Sequence, residues 1–138
     1  MKSSRVMIAV ALLVLVVPAS AQKLSVQARV PFNFNVGAQA MPAGDYQVSI
    51  DGWGQMRLSR VRMGNATAAL TNAIGGGQTQ DRLPMLVFNR YGDHYFLSEV
   101  WTGGTYRGHQ LMISSTERDY ARGAKVESTS IVATRLPK

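Results

Sequence analysis

Few side chains in this chain could carry out chemistry. Asp93, His94 and Ser98 fall within six positions of one another and invite a hydrolase reading, with Ser98 as nucleophile and His94 as base. The surroundings argue otherwise. Asp93 is a turn residue, His94 opens a β-prone run, and Ser98 lies mid-strand without the G-x-S-x-G elbow that exposes a nucleophile. A metal site would need His94 and His109 with Asp93 or Glu99, but there is no i,i+4 histidine pair and no tight ligand cluster. The chain has no cysteine, so thiol catalysis, thiolate ligation and disulfides are excluded. Gly75-Gly76-Gly77 lacks the Lys-Ser/Thr of a phosphate-binding loop and reads as a linker. The expectation is therefore a protein without catalytic residues, metal or cofactor.

Binding is the chemistry that remains. Trp53, Trp101, Tyr95 and Tyr106 could offer flat faces to a sugar or another planar ligand. Trp101 and Tyr95 belong to a dense apolar run and are expected to pack. Trp53 and Tyr106 sit beside glycine-rich turns and are the better ligand candidates. The basic residues are mostly arginines: Arg57, Arg60, Arg62, Arg82, Arg90, Arg107, Arg118 and Arg122. A guanidinium suits bidentate contact with carboxylate or phosphate. Trp53, Tyr106, Arg57, Arg60 and Arg107 are thus the candidate ligand-binding set. The partners expected are a protein or an anionic envelope polymer, not nucleic acid.

That choice of partner follows from the N-terminus. Lys2 and Arg5 precede an apolar run from Val6 to Val17, Pro18 breaks it, and Ala19-Ser20-Ala21 matches a small-x-small cleavage site. The run is too short to span a bilayer and fits a signal peptide over residues 1–21. Cleavage would leave one domain, residues 22–138, with no membrane span, secreted or periplasmic. Removing Lys2 and Arg5 from the chain's net +7 leaves +5. An outer-membrane barrel is disfavoured, because the outward positions are Gln, Asn, Arg and Ser where a lipid-facing band is needed.

The elements that must position these residues read as short strands. Residues 24–36 alternate, with Leu24, Val26, Ala28, Val30, Phe32, Phe34 and Val36 on one side and Pro31 marking a bend or edge. Residues 37–44 read as a turn region. Residues 45–50 return with Tyr46, Val48 and Ile50 inward, Asp51-Gly52 turns the chain, and 55–61 forms a more polar strand. Residues 66–74 mix helix-favouring alanines with strand-favouring threonines; a strand is preferred, given the flanking glycines. The densest run, 84–102, reads as a central hairpin turning at Gly92-Asp93. Its expected register sets Arg90 against Tyr95, Asn89 against Phe96, Phe88 against Leu97 and Leu86 against Glu99. One face then holds Leu86, Phe88, Leu97 and Trp101, and the other Met85, Val87, Phe96 and Val100, so cover on both sides is expected. A strand over 109–113 follows. A helix is expected over 115–122, with Ser114 and Glu117 at capping-box spacing and Tyr120 as its docking residue. A last strand is expected over 125–135.

Three segments resemble a set of small secreted bacterial proteins, largely of unknown function. They are Val30-Pro-Phe-Asn-Phe-Asn-Val-Gly37 with Met41-Pro-Ala-Gly-Asp-Tyr46, then Leu86 to Trp101, then, more loosely, Ser114 to Arg122. The resemblance implies export and a β-rich fold and carries no catalytic role. The fold expected is all-β, an antiparallel sandwich or small barrel with one short helix. The function expected is binding or structure at the cell envelope, with anionic glycan or lipid-headgroup binding as the alternative and a small hydrolase as the remote one.

Overall fold

The structure, a computed structural model, describes residues 24–64, 66–75, 83–103 and 107–136. Period-2 alternation becomes eleven strands: β1 (Leu24–Val30), β2 (Phe34–Val36), β3 (Gln39–Met41), β4 (Gly44–Ile50), β5 (Gln55–Arg60), β6 (Ala66–Gly75), β7 (Met85–Tyr91), β8 (His94–Trp101), β9 (Arg107–Leu111), β10 (Glu127–Val132) and β11 (Thr134–Arg135). One helix, α1 (Ser115–Ala121), lies between β9 and β10. The leader expected over residues 1–21 lies outside the described residues. Among the described residues, no helix is long and apolar enough to cross a membrane.

The strands form two sheets that share two stretches of chain. β6 pairs with β5 as far as Leu70, then with β9 from Thr71 onward. The C-terminal stretch pairs with β7 through Val132 and with β1 from Thr134, with buried Ala133 at the break. Strands that leave one sheet for another form the corners of a sandwich. All ladders are antiparallel except one parallel bridge, Asn35 to Phe96, between β2 and β8. The two sheets, joined through those shared stretches, do not close into a barrel, so the choice between sandwich and barrel resolves to an open, sandwich-like arrangement.

The core lies between the sheets. Val26, Ala28 and Val30 of β1 meet Tyr46, Val48 and Ile50 of β4, Met56 and Leu58 of β5, and Leu86 and Phe88 of β7. Each large apolar side chain buried in this way contributes about 1.5–3 kcal/mol. Pro31 ends β1, and Phe34 and Val36 of β2 return to the core on the same parity. Residues 66–74 are indeed strand. Several boundaries differ from the sequence expectation: the turn region 37–44 contains β3, the ninth strand runs from Arg107 to Leu111, and the expected last strand over 125–135 is two strands, β10 and β11, broken at Ala133 where the pairing passes from β7 to β1.

The hairpin keeps its expected register from Tyr91-His94 to Phe88-Leu97 and then shifts. Val87 faces Glu99 and Leu86 faces Val100, so Ser98 is the extra residue of a β-bulge. One inserted residue exchanges the faces beyond it. Val100 therefore joins Leu86 in the core, and Trp101 moves to the other face, where its ring lies over Gly108. Helix α1 covers the turn end of that outer face. The Tyr120 ring lies tilted against those of His94 and Phe96, with centroids 4.1 Å and 5.6 Å away.

The helix starts as expected: Ser114 Oγ accepts from the Glu117 N–H at 3.1 Å. The reciprocal half of a capping box would bring the Glu117 carboxylate back to Ser114. Instead the side chain turns inward, 4 % exposed, and accepts from Tyr91 Oη at 3.2 Å and from Asn89. Burial raises the Glu117 carboxyl above its ordinary range, against the lowering effect of those two hydrogen bonds.

Candidate functional site

The four residues Asp51-Gly52-Trp53-Gly54 join β4 to β5, and their backbone is held from several directions. Asp51 Oδ1 accepts from the N–H groups of both Trp53 and Gln55, each at 2.9 Å. An aspartate bonding its own following backbone is the usual chemistry of such turns. Asp51 N–H donates to Gln55 O at 3.1 Å, and Gly54 N–H to Asp51 O at 3.2 Å. Gly54 O then accepts twice from Thr71, from the backbone N–H at 2.9 Å and from Oγ1 at 2.6 Å. Gly54 has φ +83, and a Cβ there would meet Thr71 O at 2.7 Å. The turn is thus clamped to β6 at the residue where that strand changes sheets.

Out of this clamped turn Trp53 projects 92 % exposed. Large aromatic side chains usually bury most of their area. The turn's neighbours add to the patch. Leu70 precedes Thr71, Met112 follows Leu111, and Thr71 pairs with Leu111, so both flank the same corner in the chain. They are 68 % and 70 % exposed. His109 Nδ1 lies 3.4 Å from Thr71 Oγ1; since that hydroxyl donates to Gly54 O, the ring nitrogen is placed as the donor. Burial holds the His109 pKa below its ordinary value.

Arg57 points outward from β5, between Ser49 of β4 and Ala68 of β6. It lines a cleft of about 370 Å³ with Ser49, Asp51, Gln55, Ala66, Thr67 and Ala68. Asp51 thus serves both the cleft and the Trp53 turn. Arg60 does not join them. It stands three residues along the same strand, on the opposite face, opposite Tyr46 and against Gly44. It lines a second cleft of about 410 Å³ with Gln39, Ala40, Met41, Pro42 and Tyr46, which adjoins the Arg57 cleft at Ala66 and Thr67. Arg107 opens β9 opposite Gly75. Tyr106 lies outside the described residues. The candidate set is therefore divided: Trp53 and Arg57 lie at and beside the β4–β5 turn, and Arg60 faces the other side of β5.

Trp101 and Tyr95 have packing roles. Trp101 Nε1 donates to Glu99 Oε2 at 2.9 Å, and Tyr95 stacks on Phe32 with ring centroids 3.8 Å apart. The hydrolase residues do not converge. His94 and Ser98 lie four positions apart on β8, roughly 13 Å along a strand, and the His94 ring is occupied by Tyr120. Among the described residues, no three His, Asp or Glu side chains gather into a metal-binding group. The sequence reading missed the Thr71 clamp and the inward turn of Glu117. Neither pairing has a local signal, since each joins residues at least 17 positions apart. No protein family, curated protein or solved structure matches the chain.

Proposed function

We propose that this is an exported, non-catalytic binding module of the cell envelope that grips its partner through the Trp53 corner. One observation carries the reading: an almost fully exposed tryptophan stands on a turn fixed by hydrogen bonds on both sides. Exposing such a ring forgoes the burial that would stabilise the fold, while a rigid mount lowers the entropy lost on binding. Leu70 and Met112 widen the apolar contact. Export rests on the leader pattern of residues 1–21. The absence of catalysis rests on the separation of His94 from Ser98.

A second reading, an anionic glycan, is favoured by the Arg57 cleft. There a guanidinium lies among Ser49, Gln55 and Asp51, beside the β4–β5 turn that carries Trp53. Aromatic face, cation and small polar groups together suit an acidic sugar.

The test compares the processed protein with Trp53→Ala and Arg57→Gln for retention on envelope fractions of the cells that make it and on polygalacturonate. Trp53→Ala is expected to lose envelope retention with its melting temperature unchanged. Salt-sensitive polygalacturonate binding lost in both variants would select the glycan. Equal retention by all three proteins would remove the Trp53 corner from the function.

A further inference from the structure

We propose that the cleft beside Arg60 receives an extended, acidic peptide as an added β-strand. The open side of the sandwich is bounded by two strand edges. Among the described residues, β3 pairs only with β2, and the first half of β6 pairs only with β5. Residues of both edges, Gln39, Ala40 and Met41 from one and Ala66 and Thr67 from the other, line the same cleft.

The backbone groups face the right way. The Gly37-Ala38 loop makes Val36 and Gln39 the bonded pair beside it, so Asn35 and Ala40 direct their N–H and C=O away from each other. Asn35 spends its outward side on β8, whereas Ala40 directs its own to the cleft. On β6 the Thr71 N–H points to β5, and alternation turns those of Ala66 and Ala68 the opposite way. β9 occupies that side only from Thr71 onward. An edge with free donors and acceptors is a template for another strand.

The charge specifies the occupant. Arg60 is half-buried in the cleft, and no carboxylate pairs with it among the described residues. Asp45, next to Tyr46 on the neighbouring strand, is turned to the outer face, where it holds Arg29 at 3.0 Å. A strand carrying Asp or Glu would supply both the missing backbone pairing and the missing anion.

This site is separate from the Trp53 corner, so failure here leaves that reading intact. The probe is a fluorescein-labelled, capped hexapeptide, Thr-Val-Glu-Val-Thr-Val, with its Glu-to-Gln counterpart as control. Wild type is expected to bind the Glu peptide about tenfold tighter than the Gln peptide, a difference that weakens with salt. Arg60→Gln should abolish the preference, Ala40→Pro should weaken both peptides, and Trp53→Ala should change neither. Thermal unfolding verifies that each variant folds, and Arg60→Gln decides alone if Ala40→Pro does not. Absence of binding, or an Arg60→Gln variant that keeps the preference, overturns the proposal. So does trigalacturonate binding at Arg60 without peptide binding. A dimer abolished by Ala40→Pro, in a protein that ignores the peptide, assigns the edge to a second copy and likewise overturns it.

Discussion

The β7–β8 and β4–β5 turns each hold a glycine in the left-handed region, and their surroundings differ. At the β7–β8 hairpin, Gly92 has φ +62 and a Cβ placed there would meet nothing within 4 Å. At the β4–β5 turn, Gly54 has φ +83 and is pressed against the Thr71 carbonyl. The first turn only reverses the chain between two buried strands. The second is locked to a neighbouring sheet and carries an exposed tryptophan. Rigidity without burial distinguishes a mount from a connector.

Gly54→Ala combines a strained φ with a backbone collision and is expected to cost about 3–5 kcal/mol in chemical denaturation. Gly92→Val faces the strain alone and should cost roughly 1–3 kcal/mol. A larger loss at Gly92 than at Gly54 would reverse the contrast. Thr71→Val removes the hydroxyl bond to Gly54 O while keeping the shape, and about 1–2 kcal/mol should be lost. It should also loosen the Trp53 turn, read as faster amide exchange at Trp53 and Gly54.

The smallest effect concerns helix α1. Glu117 binds its proton more tightly when folded than when unfolded, because burial raises its pKa. The folded state is then favoured at low pH, and that contribution is lost as pH rises from the ordinary carboxylate range through the raised value. Glu117→Gln still accepts from Tyr91 and should flatten this slope, with a slightly higher melting temperature at neutral pH. Melting curves from pH 4 to pH 8 check this, and a wild-type slope that persists in the variant would assign it to another group. His109, lowered by burial, acts in the opposite sense: its contribution is lost as pH falls through the ordinary histidine range.

Local alternation made much of this fold legible. β1, β4, β5 and the turn half of the hairpin follow from a period of two, because one face of each strand is buried and the other is wet. The Ser98 bulge was hidden because Leu97, Val100 and Trp101 supply apolar residues on either parity. The helix start was visible in Ser114 and Glu117, but spacing alone could not show that the carboxylate turns toward Tyr91, 26 positions earlier. Of the site, Trp53 was identifiable from its glycine-flanked turn. The division of Arg57 from Arg60 was also within reach, since positions three apart on one strand face opposite ways. The sheet changes at Thr71 and Ala133 depend on distant partners and leave no local mark.

The most direct measurement uses the protein's two tryptophans, of which Trp101 is buried and Trp53 is open to solvent. Iodide should quench only the Trp53 share of the fluorescence. Adding the envelope fraction is predicted to shift that emission to the blue and protect it from iodide, with no such change in Trp53→Phe. Trp53 emission that stays red and fully quenchable, while the protein is retained on the fraction, would contradict the claim that this corner is the binding surface.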